Sequence, residues 1–149
     1  KNVGRLLHQV NLNLGINQSN NFNSLLIDMK IHTLMPDRLT PFFLKELEIA
    51  GNYFSTNDFR NCWFHLERAH ILGQPYPFHH TLVHWKMLLF GIKIKDTREV
   101  VGQLPRLLIG GVKSFVGEIP VGNTGGANVP PLKRMEIPAD LKKIIDENI

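Results

Sequence analysis

The sequence predicts an all-α protein of two antiparallel helical hairpins followed by an extended Gly/Pro-rich C-terminal segment. Three observations point there. Apolar residues recur at three- and four-residue spacing in successive windows between Thr40 and Leu108, and short polar or Pro/Gly turns separate those windows. A weak internal repeat adds to this: Asp58-Phe59-Arg60 and Asp96-Thr97-Arg98 lie 38 residues apart, each opening a helix that follows a helix and a short turn.

Residues 1–34 contain seven Asn, no aromatic residue except Phe22 and no sustained periodicity. They read as a weakly ordered arm or an upstream extension, with Met35 as the natural start of a single helical domain over 35–149. Thr40 as N-cap, Pro41 at the first helical position and Phe43, Leu47, Ala50 and Phe54 place a first helix at about 41–54. After the turn Ser55-Thr56-Asn57, Asn57 is expected to cap a second helix with Phe59, Cys62, Leu66, Ala69 and Leu72 on its apolar face and Gly73 as its C-cap. The Gln74–Pro77 stretch cannot stay helical, so a third helix should run from about Phe78 to Phe90, with Gly91 stopping it. Asp96 and Glu99 form a capping box that opens a fourth helix through Val100, Val101, Leu104 and Leu108, kinked or restarted at Pro105. Beyond Gly110-Gly111 the chain becomes loop or tail until a last amphipathic piece, Ala139–Asn148. In that tail Gly122, Gly125 and Gly126 read as a tight turn packed on the bundle or as an anion-binding nest.

With 149 residues, 43% apolar and 20% charged, the composition is that of about one globular domain. Cys62 is the only cysteine, which excludes an intramolecular disulfide and makes a reducing, cytoplasmic setting the expectation. No apolar run reaches the roughly 20 residues of a transmembrane helix. The excess of four positive charges is scattered rather than gathered on one face, so no specific nucleic-acid partner is implied. The apolar stretch Leu104–Val121 is compatible with a membrane surface or with burial in the bundle. Neither a Gly-x-Ser-x-Gly elbow nor a Walker loop occurs, and Cys62 on an apolar helical face reads as a core residue, so no catalytic residue is assigned.

Histidine carries the chemical information. Five of the seven, His65, His70, His79, His80 and His84, fall within 20 residues. Glu67 and His70 are three apart on the second helix; His80 and His84 are four apart on the third, so each pair shares a helical face. If the two helices pack antiparallel through the 74–78 turn, Glu67, His70, His80 and His84 converge on one point. That ligand set suits zinc, nickel, copper or iron, with Glu46 or Glu48 on the first helix as a further carboxylate. The same residues also suit a hydrogen-bonded polar interface. His79 should face solvent, and His65, 140° from His70 around the axis, should lie outside the cluster. A di-iron arrangement needs two Glu-x-x-His helices, and this sequence has one.

Two resemblances bear on function. Ala50 and Tyr53, Asn57-Asp58-Phe59, then Cys62, Leu66 and Ala69 make the first hairpin similar to a tetratricopeptide unit, although Pro75 falls one residue late and 38 exceeds the usual period of about 34. This implies a protein–protein interaction module with the histidines lining a polar groove and no metal. The blocks His65–Gln74, His80-x-x-x-His84-Trp85-x-Met87-Leu88 and Gly122–Val129, with Arg98-Glu99-Val100-x-Gly102-Gln103 and Met135-x-Ile137-Pro138-x-Asp140-Leu141, resemble the uncharacterised bacterial family catalogued as domain of unknown function 3703. The resemblance covers about residues 35–141. It implies a small, mostly helical bacterial protein and carries no activity with it.

Overall fold

The computed structural model describes residues 34–113 and 120–149, with the backbone alone for 109–113. The arm expected over 1–34 therefore lies almost wholly outside the described residues, as does much of Leu104–Val121. The described residues form five helices and no strand: α1 Thr40–Ser55, α2 Phe59–Gly73, α3 Pro77–Ile94, α4 Thr97–Lys113 and α5 Ala139–Asn148. The all-α expectation holds. α1 packs on α2, α2 on α3 and α3 on α4.

The helix ends differ from the sequence reading for local reasons. The turn before α1 is already wound by Leu39 N–H and Thr40 N–H bonds to the Pro36 carbonyl, so Leu39 takes the cap position and the Thr40 hydroxyl bonds back to that carbonyl at 3.1 Å. Asn57 adopts a left-handed φ of 60°, which Asn tolerates, and Asp58 caps α2 by accepting from Asn61 N–H at 3.2 Å. Gly73 is the last helical residue of α2, with Gln74 at the cap, and Gly91 stays inside α3. The last turn of α3 instead ends at Lys95, whose left-handed conformation lets its N–H reach the Gly91 and Ile92 carbonyls. Pro105 lies within α4, which is assigned as one continuous helix. Asp96 accepts from Glu99 N–H at 3.1 Å, but Glu99 does not complete the box, because its carboxylate is held by Ala127 N–H and by Gln103.

Burial follows the helical periods in α1, α2 and α3. Leu39, Phe43 and Ala50 meet Cys62, Leu66 and Ala69, and Val83 and Met87 close the core from α3. α4 is inverted relative to the sequence reading: among its described side chains the buried ones are Glu99 and Gln103, while Val101, Leu104 and Leu108 are 59%, 49% and 80% exposed. The polar face turns inward because partners wait for it there, as described below. α5 docks on α2 through the fully buried Leu141 and through Asp140 Oδ2, 2.7 Å from Arg68 Nη2. Arg68 Nε donates to Glu46 Oε1 at 2.8 Å, and Glu46 Oε2 lies 2.6 Å from His65 Nδ1. Glu46 thus ties α1 to α2, and Glu48 is exposed beside Lys45. Neither joins the histidine cluster.

Cys62 is fully buried, and burial, with the Asp58 charge adding, pushes its thiol up to about 11. The folded chain is therefore expected to resist a disulfide-exchange reagent at pH 8 and to label at the rate of unfolding, rising sharply across a urea transition. Fast labelling without urea contradicts this placement.

Candidate metal centre

The geometry begins with the short turn between α2 and α3. His70 lies in the last turn of α2 and His80 and His84 in the first turns of α3, so the antiparallel hairpin sets them opposite each other. Their Nε2 atoms form a triangle: His70 to His80 2.9 Å, His80 to His84 3.0 Å and His70 to His84 3.2 Å. The three rings are inclined to one another by 60°, 59° and 65°. His70 and His84 are each only 2% exposed.

The opposite ring nitrogens settle the tautomers. His70 Nδ1 lies 2.8 Å from the carbonyl oxygen of Asn123, which only accepts, so Nδ1 carries the proton. His84 Nδ1 lies 2.7 Å from Gln103 Oε1. The Gln103 amide is oriented by its own NH2 group, which donates to the Gly125 carbonyl at 3.0 Å and to Glu99 Oε1, both acceptors. His84 is therefore also protonated at Nδ1. Both Nε2 atoms then present bare lone pairs 3.2 Å apart.

Burial first, then the neighbouring His84 and His80, holds the His70 pKa well below the ordinary histidine range, with Arg106 adding and the Asn123 carbonyl opposing. Burial and then His80 lower His84 to about 3, with Arg106 adding, against the hydrogen bond to Gln103. Both rings are neutral at pH 7, the form that ligates metal.

The supporting layer comes from the inverted face of α4 and from the Gly-rich loop. Asn123 is 2% exposed; its side chain donates to the Pro130 and Lys133 carbonyls and accepts from Gly125 N–H, which fixes the carbonyl that holds His70. Arg106 donates to the Gly126 and Val129 carbonyls. The loop's Gly125 N–H goes to Asn123 Oδ1 and its Ala127 N–H to the Glu99 carboxylate, so these donors serve the bundle, which favours the packed turn over the anion nest. Gly125 sits at φ +82° with a Cβ position 2.5 Å from His70 Cδ2, so only glycine lets the backbone close over the ring.

Of the residues singled out in the sequence, the structure brings His70, His80 and His84 together. Glu67 stays outside the cluster, near Thr124 of the loop and Trp63 one turn earlier; burial raises its pKa, those two side chains oppose the rise, and the Glu99 charge adds to it. His79, expected on the surface, is half-buried edge-on to Phe43 at 4.9 Å, because the Phe43 side chain reaches the Gly73 end of α2, against which His79 also lies; its Nδ1 has no hydrogen-bond partner among the described residues. His65 lies outside the triad as expected, stacked on Tyr53. Gln103 and Asn123 were missed as supporting residues. The available hint was the polar i, i+4 pair Glu99 and Gln103 sharing one helical face.

Fold and site together define a small α-helical hairpin protein whose clustered imidazoles could hold a metal ion. The family described as "Protein of unknown function (DUF3703)" matches residues 37–145, and the chain belongs to it. No curated protein and no solved structure matches the chain.

Gly125→Ala is expected to destabilise the fold by about 2 kcal/mol or more, from left-handed strain and the collision with His70. Gly51→Ala, on the exposed side of α1 with nothing within 4 Å of the added carbon, should stabilise by about 0.5–1 kcal/mol. Urea denaturation of both variants checks the contrast.

Proposed function

We propose that this chain is a transition-metal-binding protein in which His70, His80 and His84 hold one divalent ion, zinc, nickel, copper or iron. A single observation carries the reading: His70 and His84 direct two unprotonated Nε2 atoms at each other across 3.2 Å, with both Nδ1 protons committed to outward hydrogen bonds. A proton on His80 Nε2 can bond to one of them, and the edge between His70 and His84 is then left as two facing lone pairs. A cation at the centre of the triangle satisfies all three nitrogens, and the outer hydrogen bonds match the partners that orient metal-binding histidines. Glu67, one turn before His70, is proposed to add negative charge beside the ion.

A second reading, a tetratricopeptide-like interaction module without metal, is favoured by Trp85, Leu89 and Ile92, which form an exposed apolar stripe on α3. Metal analysis separates the two. Untagged protein exposed to nickel or zinc and desalted should retain one ion per chain, and His70→Ala and His84→Ala should lose it while circular dichroism stays helical. Gln103→Leu should weaken binding about 10–100-fold, and Glu67→Gln should weaken it less than His84→Ala. Metal-free protein whose variants fold unchanged leaves only the interaction module.

A further inference from the structure

We infer that the three imidazoles form one 90° face of a six-coordinate site, suited to an octahedral divalent ion such as nickel(II), iron(II) or cobalt(II) rather than to tetrahedral zinc. The inference rests on the metal-binding reading above and specifies its coordination.

The first argument is the size of the triangle. Tetrahedral zinc with bonds of about 2.0–2.1 Å spreads its imidazole nitrogens about 3.3–3.4 Å apart. All three observed edges, 2.9, 3.0 and 3.2 Å, are shorter. Bonds of about 2.1–2.2 Å at right angles place nitrogens about 3.0–3.1 Å apart, which is where the observed edges centre.

The second argument uses ring directions and does not assume a bond length. When Nε2 points at the ion, the ring centre lies about 1.2 Å farther out, so ring-centre separations exceed nitrogen separations by about 1.7 Å at 90° and about 2.0 Å at the tetrahedral angle. The ring centres are 4.8 Å apart for His70 and His80, 4.7 Å for His70 and His84, and 4.5 Å for His80 and His84. Set against the nitrogen separations, the excesses are about 1.9, 1.5 and 1.5 Å and average about 1.6 Å, on the 90° side. All three edge lengths and two of the three ring directions fall on the 90° side, and the His70–His80 pair lies nearer the tetrahedral value.

The donor set fits. Among the described residues the group holds these three side chains and no carboxylate or thiolate, Glu67 lying outside it. A three-nitrogen face leaves three positions on the opposite side of the ion for water or for a small oxygen or nitrogen donor from outside the chain. The centre is thereby a place where an exogenous ligand exchanges, in contrast to a closed structural site with four protein ligands.

Cobalt(II) alone is the probe, added to untagged, chelator-treated full-length chain, with bound metal counted and the visible spectrum recorded. One cobalt per chain with weak, pale d–d bands, changed by added azide and absent in His80→Ala, is the expected result. Intense blue four-coordinate bands with one cobalt bound overturn the octahedral assignment and leave the metal-binding reading standing. No cobalt retained by the folded chain overturns both.

Discussion

Two outward hydrogen bonds govern this molecule: His70 Nδ1–H to the Asn123 carbonyl and His84 Nδ1–H to Gln103 Oε1. Each fixes a ring in place and commits its proton to the far side, so the other nitrogen faces inward as a lone pair. Without them the rings are free to flip or change tautomer, and His80, His70 and His84 settle into an ordinary hydrogen-bonded cluster. With them the bundle holds a concentration of acceptors that only a proton or a metal ion relieves.

The rest of the fold follows from placing those two acceptors. A buried glutamine and a buried asparagine are costly unless every polar atom is met. Gln103 is met by His84, Gly125 and Glu99, and Glu99 in turn by Ala127 N–H. That chain explains why α4 presents its polar face to the bundle and leaves Val101, Leu104 and Leu108 exposed. It also explains the glycines: a backbone that must bring the Asn123 and Gly125 carbonyls onto two different side chains while passing over the His70 ring has no room for a Cβ at position 125. Away from this layer, α1, α2 and α5 are held by ordinary apolar burial and by the Glu46, Arg68 and Asp140 ion pairs.

The helices and the histidine triad were legible in the sequence because they rest on local spacing. His80 and His84 share a face by the helical period, and a turn as short as 74–76 sets His70 beside them. Glu67 lies outside the triad, because a three-residue offset fixes the angle around the axis but not which way a flexible carboxylate leans. Gly73 is the last residue of α2, one position short of the cap at Gln74, whereas Gly91, also read as a helix end, lies inside α3, where a helical glycine costs only about 1 kcal/mol. The α4 inversion and the Asn123 contact were not legible: His70 and Asn123 are 53 residues apart, and a hydrogen bond closed across that separation leaves no periodic trace.

The central claim concerns two protons, and they can be observed directly. Long-range 1H–15N correlation of the imidazole rings in the metal-free chain at pH 7 reports which nitrogen of each histidine is protonated. His70 and His84 should both appear as neutral rings with the proton on Nδ1 and an unprotonated Nε2. A proton on Nε2 of either ring, or a protonated imidazolium at that pH, contradicts the account.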